Sequence, residues 1–206
     1  DSLYISMKTD DVQEIIKQSQ ELVNKINDSF TNFLQQFGCK DNKYLEVQFE
    51  KINKTMFFSS SDNAEEASKK RYAYLEVYHD GKEVNRMGYT GFDLIRSDCA
   101  KVTAKITERV FEMLLKERKT KEEVFSYVNA EIEKIKTMQY SYEEIAIPKT
   151  ITNKFEDYKV KSYHVKAAEW SNKYLNTNYS QGSKFKLLYG TIQGLPHCDA
   201  FAFDNS

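Results

Sequence analysis

The fold is decided by residues 69–98, which read KKRYAYLEVYHDGKEVNRMGYTGFDLIRSD. From Tyr72 to Tyr78, tyrosines and a glutamate alternate with the apolar residues Ala73, Leu75 and Val77, as in a half-buried strand. Asp80-Gly81 supplies the strongest short signal for a tight turn, and a second extended run follows it. The stretch therefore predicts a β-hairpin that is entered through three consecutive cations.

Those cations, Lys69, Lys70 and Arg71, stand directly before the aromatic ring of Tyr72. Such a cluster can hold a nucleic-acid backbone while the ring packs against a sugar or a base. Composition by itself favours a simpler interpretation, in which the three side chains are a solvated strand entry.

The bulk composition sets limits on the function. The 206 residues are 40% hydrophobic, enough for one large or two small domains. The formal net charge of −1 argues against a general nucleic-acid binder, but the charge is uneven. Residues 1–68 carry 7 basic against 12 acidic side chains, and residues 69–206 carry 23 against 19. An acidic part beside a mildly basic part fits a metal-binding floor joined to a DNA-facing part, and it also fits chance.

The cysteines and the helical pattern bear on compartment. Cys39, Cys99 and Cys198 are widely spaced and odd in number, which predicts reduced thiols in a cytosolic compartment. The longest helical pattern is amphipathic, so we expect no membrane span.

The segment before the hairpin predicts one helix and several strands. Apolar residues recur with helical spacing over residues 11–37, with Asp11 and Glu14 at the start and Gly38 at the end. We expect this helix to pack across the back of a sheet. Strands are predicted at residues 3–7, 44–50 and 53–60, and a polar loop at residues 59–68.

After the hairpin the pattern becomes helical. Asp98 is a plausible cap for a first helix, and Thr120 with Glu123 forms a capping box for a second. A further apolar helix is predicted after His164, and a strand at residues 184–189.

Several motifs, in order, resemble family B DNA polymerases. The run Lys70-Arg71-Tyr72, the hairpin and Gly91–Asp98 are similar to the end of that family's palm, and Asp1–Ile5 resembles the second half of its DTDS motif. The later positions Ile145–Ile147, Thr152, Tyr158-Lys159 and His164-Val165 follow the family's thumb pattern, so the resemblance runs from residue 1 to about residue 190. Two positions depart from it: Asn153 stands where the family has arginine, and Tyr163 where it usually has proline.

The resemblance implies an α+β fold. An antiparallel palm sheet with a packing helix would occupy residues 1–98, from the DTDS remnant to the KKRY hairpin. A mostly helical thumb, incomplete at its C-terminus, would occupy residues 99–206.

It also implies nucleotidyl transfer assisted by two metal ions. Asp1 would be a catalytic residue and a ligand of Mg²⁺, in a two-metal site completed by residues outside this chain. Glu50 corresponds by position to an acidic residue near the family's active site and is a second candidate ligand. The residues alone leave open that Asp1 is inert and that Glu50 is an edge-strand side chain facing solvent.

The DNA-binding residues implied by the resemblance lie in both parts of the chain. In the first part, Lys70 would reach the minor groove near the primer terminus, and Tyr72 would pack beside the primer sugar. Lys69 and Arg71 would contact the backbone or buttress the loop. In the second part, the duplex-facing residues would be Arg96, Thr152, Lys159 and His164. For His164 a packed, hydrogen-bonded role is the alternative.

The implied partners are primer–template DNA, deoxynucleoside triphosphates through the complete enzyme, and an N-terminal polymerase part or subunit, with a sliding clamp left open. We expect the chain to be a split polymerase subunit or a piece of a longer polymerase, inactive alone, at the nucleoid or a viral replication site. A non-catalytic DNA-binding or structural subunit is the competing class. A different two-metal nucleotidyl transferase is a weaker third, disfavoured by the order of the motifs.

Overall fold

The computed structural model describes residues 2–38, 45–60 and 67–204, without the side chains of residues 67–69. These residues form an α+β fold with two antiparallel three-stranded sheets, which confirms the predicted class. They fall into two compact units divided between Tyr89 and Thr90, called the first and second unit below. The predicted division stands at residue 98, and its assignment to palm and thumb stays a prediction.

The first unit contains one long helix and one sheet. Helix α1 spans Val12–Gln35, and strands β1, β2 and β3 span Lys51–Ser60, Ala67–His79 and Lys82–Thr90 in the sheet order β1-β2-β3. Few of its side chains are fully buried, and no residue of α1 is among them. The helix offers a half-buried apolar stripe, as its periodicity predicts, but not a deep core.

Local signals set the ends of α1 and the turn of the hairpin. Asp11 Oδ1 accepts from the backbone N–H groups of Gln13 and Glu14 at 2.8 and 3.3 Å, and Gly38 follows the helix with a φ of +77°. Asp80 and Gly81 both have positive φ, as a two-residue hairpin turn requires. The predicted helix and hairpin are confirmed.

Two predicted strands of the first unit are wrong over the described residues. Residues 45–50 form no strand, because the side chain of Asn27 in α1 hydrogen-bonds both backbone groups of Val47. Asn27 Nδ2 donates to the Val47 carbonyl at 3.0 Å, and Asn27 Oδ1 accepts from the Val47 N–H at 2.8 Å. Residues 2–10 also contain no strand. Of the predicted loop at residues 59–68, residues 61–66 lie outside the described residues.

The second unit combines helices with its own sheet. Its helices are α2 (Lys101–Leu115), α3 (Lys121–Lys136), α4 (Tyr142–Ile145) and α5 (Tyr163–Tyr174), with short 3-10 helices at Asp93–Ile95 and Phe155–Asp157. Strands β4 (Ile147–Thr150), β5 (Lys184–Tyr189) and β6 (Ala200–Phe203) form an antiparallel sheet in that order.

The core of the second unit lies between α5 and this sheet. Val165 and Ala168 of α5 pack with Phe185, Leu187 and Ala202 of the strands, all of them buried. Apolar residues on one face of a helix and on alternate strand positions meet here, as the two periodicities require.

The capping predictions in this unit had different outcomes. The box at Thr120 and Glu123 is confirmed, since Thr120 Oγ1 accepts from the Glu123 N–H and Glu123 Oε2 accepts from the Thr120 N–H. The prediction for Asp98 is wrong. Helix α2 begins after Ala100, and the Asp98 carboxylate is bound to Arg96. Among the helices of the described residues, none is long and apolar enough to cross a membrane.

Candidate nucleic-acid interface

The basic cluster lies in an irregularity of strand β2. Phe58 pairs with Tyr72 and Ser60 pairs with Ala67, so two steps along β1 correspond to five along β2. Between these two pairs, β2 therefore contains three more residues than β1. Bulges of this kind bend a strand and re-aim its side chains, and they occur often beside active sites.

Lys70 has a φ of +60°, a left-handed conformation that is uncommon for a residue with a Cβ. Its side chain and that of Arg71 are exposed, and the side chain of Lys69 lies outside the described residues. The predicted cations thus occupy a bulge at the surface of the sheet, not a regular strand entry.

Tyr72 lies in a cluster of aromatic rings. Its ring centroid is 5.8 Å from that of Tyr4, 6.0 Å from that of Phe58 and 6.1 Å from that of Tyr74. Tyr4 donates a hydrogen bond to the Tyr72 hydroxyl at 3.4 Å. Burial and this hydrogen bond raise the pKa of Tyr4 to about 12, so the Tyr4 hydroxyl stays protonated at neutral pH.

The aromatic cluster joins two of the motifs that the sequence singled out. Tyr4 belongs to the Asp1–Ile5 run and Tyr72 to the KKRY run, 68 residues apart in the chain. Asp1 itself lies outside the described residues.

Glu50, the second predicted metal ligand, is at the surface. Its side chain is 57% exposed, and Oε1 lies 3.5 Å from Nζ of Lys51. Over residues 2–38, 45–60 and 67–204, no three histidine, cysteine, aspartate or glutamate side chains form a group that could hold a metal ion. Asp1 and Glu50 are of the donor type that Mg²⁺ prefers, and their part in a metal site stays a prediction.

In the second unit, Arg96 is held by carboxylates. Its Nε and Nη2 donate to the two oxygens of Asp98 at 2.8 and 2.9 Å, and Nη1 lies 3.6 Å from Asp93. The hydrogen bond to Asp98 raises the pKa of Arg96, and the same bond lowers the pKa of Asp98. The fork leaves the guanidinium largely exposed but fixes its orientation.

Thr152 and Lys159 belong to one loop, which Tyr158 organises. The backbone N–H groups of Thr152 and Asn153 donate to the Tyr158 hydroxyl at 3.0 and 3.2 Å, and Thr152 Oγ1 lies 3.2 Å from it. The hydrogen bonds from Thr152 and Asn153 lower the pKa of Tyr158. Lys159, next in the chain, is exposed.

His164 lies in the first turn of α5 and is half-buried. Its Nδ1 is 3.0 Å from Ser162 Oγ. Burial lowers the pKa of His164, and the positive charge of Lys149 lowers it further, so the imidazole is neutral at pH 7. This environment suits a hydrogen-bonding side chain better than a permanent cation.

Lys149 was not among the predicted site residues, yet it connects two of them. Its Nζ lies 3.7 Å from Asp98, the partner of Arg96, and its charge acts on His164. No local motif marks this lysine. Only the strand position of β4 places it beside both groups.

The predicted DNA-binding residues are thus distributed over the two units. Tyr72 contacts the Asp1–Ile5 run in the first unit. In the second, Arg96 and His164 are linked through Asp98 and Lys149, while Thr152 and Lys159 share a loop. Lys51, which contacts Tyr74, is a further residue that sequence reasoning missed.

Comparison with known proteins now identifies the family. The profile described as DNA polymerase family B matches residues 1–191. The DNA polymerase of Archaeoglobus fulgidus is 32% identical over 124 residues, and DNA polymerase 2 of Aeropyrum pernix is 30% identical over 123 residues. Each alignment covers 60% of this chain but 14% of the relative, so the matched region spans about a seventh of these curated relatives. The chain belongs to DNA polymerase family B.

Proposed function

We propose that this chain is the C-terminal palm and thumb portion of a DNA-directed DNA polymerase, which grips primer–template duplex and supplies one metal-binding aspartate to nucleotidyl transfer. The observation that carries the proposal is the contact between Tyr4 and Tyr72. It brings the run that begins with Asp1 beside the basic bulge, as an enzyme needs if one surface is to hold both the reacting centre and the primer end.

The first unit would hold the primer terminus. Lys70 and Arg71 extend from the bulge into solvent, where they can reach a duplex, and Tyr72 presents a fixed ring beside them. Minor-groove acceptors occur on every correct base pair, so Lys70 there would test pairing geometry without selecting a sequence.

Asp1 would hold a divalent cation together with a carboxylate from another part of the polymerase. Mg²⁺ in such a site lowers the pKa of the primer 3′ hydroxyl and neutralises the triphosphate. This chain would contribute the Asp1 carboxylate, at the start of the run to which Tyr4 belongs.

The second unit would follow the duplex behind the primer end. Lys159, the hydroxyl of Thr152 and the fixed guanidinium of Arg96 suit phosphate contacts, while a neutral His164 can donate one hydrogen bond. Residues 149–186 contain eight lysines and three acidic residues, so this region is more basic than the chain as a whole.

The proposal includes a partner, the remaining part of the polymerase. Exposed apolar side chains in the first unit support it. Phe33 is 51% exposed and Phe37 is 69% exposed, and their rings contact each other; contiguous exposed apolar side chains often mark a protein interaction site. Nucleotide binding and catalysis belong to the completed enzyme.

Fluorescence anisotropy of labelled primer–template, compared with single strand over a series of salt concentrations, tests DNA binding. We expect duplex preference, affinity that falls with salt, and a roughly 5- to 100-fold loss in Lys70→Ala. Lys25→Ala, which removes an exposed lysine of α1, is the matched control. Equal affinity of wild type and Lys70→Ala would contradict the proposed groove contact.

A second experiment separates a catalytic portion from a non-catalytic DNA-binding subunit. The chain is combined with the polymerase part that co-purifies with it, and primer extension is measured with Mg²⁺. Extension that is lost in Asp1→Asn while duplex affinity is kept supports the catalytic role. Extension unaffected by Asp1→Asn would favour the non-catalytic alternative.

A further inference from the structure

Gly88 of β3 lies directly beneath the ring of Tyr74 in β2. A Cβ at position 88 would lie 2.2 Å from Cζ, 2.4 Å from Cε2 and 2.6 Å from the hydroxyl oxygen of Tyr74. These distances are far below van der Waals contact. The glycine is therefore needed for the close approach of the ring, and its φ is not in the left-handed region.

The ammonium group of Lys51 in β1 contacts the same ring through a hydrogen bond and a cation–π interaction. Its Nζ donates to the Tyr74 hydroxyl at 3.3 Å and lies 4.7 Å from the ring centroid. Burial opposes the charge, but the hydrogen bond to Tyr74 and nearby negative charge prevail and raise the pKa of Lys51. Lys51 is thus a permanent cation, and only 17% of its side chain is exposed.

Tyr74 transmits this placement to the candidate site. Its ring stacks on Tyr72 at an interplanar angle of 27°, and Tyr72 in turn contacts Tyr4 and Phe58. A continuous series of contacts runs from Gly88 and Lys51 through Tyr74 to the residue that follows the basic bulge.

We infer that Gly88 and Lys51 are positioning residues: they fix the Tyr74 ring, which fixes Tyr72 and so the direction in which Lys70 and Arg71 leave the sheet. This inference rests on the proposed function, because only that function makes duplex DNA the ligand of the bulge. Neither Gly88 nor Lys51 needs to touch DNA.

A purely structural role predicts a different result from a positioning role. If the contacts only stabilise the sheet, removing them lowers stability and leaves the duplex affinity of the folded protein unchanged. If the contacts orient the side chains of the bulge, duplex affinity falls in a protein that is still folded.

The test measures duplex affinity by anisotropy for Gly88→Ala and Lys51→Met, with Asn85→Ala and Lys54→Met as matched exposed controls on the same strands. Circular dichroism confirms that each variant is folded. We expect both test variants to bind about 3- to 10-fold more weakly and the controls to bind as wild type does. We also expect Gly88→Ala to have no further effect in a Tyr74→Val background, because the ring that it displaces is gone.

The outcomes separate this inference from the proposed function. If Lys70→Ala weakens binding but Gly88→Ala and Lys51→Met bind as wild type does, the positioning role is overturned and the proposed function stands. An additive effect of Gly88→Ala in the Tyr74→Val background also overturns it. If Lys70→Ala has no effect, or the wild type shows no duplex preference, the proposed function fails and this inference fails with it. Should Gly88→Ala not fold, Lys51→Met decides alone.

Discussion

The two units differ in how they are held together. Of the nineteen buried apolar residues that the described chain contains, the first unit contributes Ile52, Ala73 and Leu75, and the second unit contributes the rest. The second unit is organised by an apolar core between α5 and its sheet. The first unit depends on specific side-chain contacts. For example, Arg86 donates two hydrogen bonds to the carboxylate of Glu76, and the Glu76 side chain is only 2% exposed.

This difference agrees with what each unit would do. A core-stabilised module can hold duplex backbone without help, because its surface is fixed by its interior. A module with aromatic and polar contacts at its surface has its chemistry exposed and its apolar residues only partly covered. The comparison predicts that the first unit unfolds more easily than the second, and measurements of stability can test this.

The largest effect is expected for a leucine of the second core. Leu187→Ala should lower the free energy of unfolding by about 2–5 kcal/mol, because Leu187 is buried and truncation of its side chain leaves a cavity. Leu22→Ala, in the half-buried stripe of α1, should cost about 1 kcal/mol. Hydrogen exchange resolved along the chain measures each unit separately. Val160→Ala, at an exposed position, is the control, and equal costs for the two leucines would remove the contrast between the units.

Two asparagines allow a closer comparison, since each ties a segment to a helix. Asn172 bonds the backbone N–H and carbonyl of Tyr179 and accepts from Thr177, in a partly buried setting, whereas Asn27 bonds Val47 at an exposed one. We expect Asn172→Ala to lower the free energy of unfolding by about 2 kcal/mol and Asn27→Ala to lower it by under about 1 kcal/mol. The loss of a hydrogen bond destabilises the protein more where water cannot replace the bond. Urea unfolding measures both, with Asn129→Ala as the control. A larger cost for Asn27→Ala would reverse the ranking.

Each unit contains a tyrosine that should titrate late. Burial and the bond to Tyr72 raise the pKa of Tyr4 to about 12, and the bond to Glu131 with burial raises that of Tyr140 to about 12. The folded state therefore keeps these protons where the unfolded state loses them. Their stabilising contribution is complete below pH 10 and declines as the pH rises towards 12.

Absorbance at 295 nm follows this ionisation. Tyr4→Phe and Tyr140→Phe should each remove one late component, and Tyr142→Phe, an exposed residue, should leave both in place. A titration of all fourteen tyrosines near pH 10 would contradict both environments.

The smallest effect concerns His164. Its pKa is lowered, so the contribution of the neutral form to stability is present above the ordinary value near 6.5 and is lost as the pH falls through the folded value. Between pH 7 and 8 we expect no change in duplex affinity from this residue. Histidine chemical shifts by NMR, with His164→Asn for assignment, measure the pKa. A value above 6.5 would show that burial and Lys149 do not govern it.

Sequence reasoning named the candidate site residues and missed the contacts between them. The KKRY run, Thr152, Lys159 and His164 came from motif order, which is a property of the chain alone. The contacts from Lys149 to Asp98 and from Tyr4 to Tyr72 join residues far apart in the chain. No periodicity or short motif encodes such pairs, so they could not have been predicted.

By itself, the sequence determined the features that depend on neighbouring residues. Helix α1, the Asp80-Gly81 turn and the capping box at Thr120 follow from local hydrogen bonding and backbone preference, and the order of the motifs identified the family. Only the tertiary structure decided that Val47 bonds the side chain of Asn27 instead of a neighbouring strand, and that Lys70 lies in a bulge. It also decided that Tyr4 meets Tyr72. The physical reason is that an extended segment with alternating side chains carries no information about its partner, which is chosen when distant parts of the chain compete for its backbone groups.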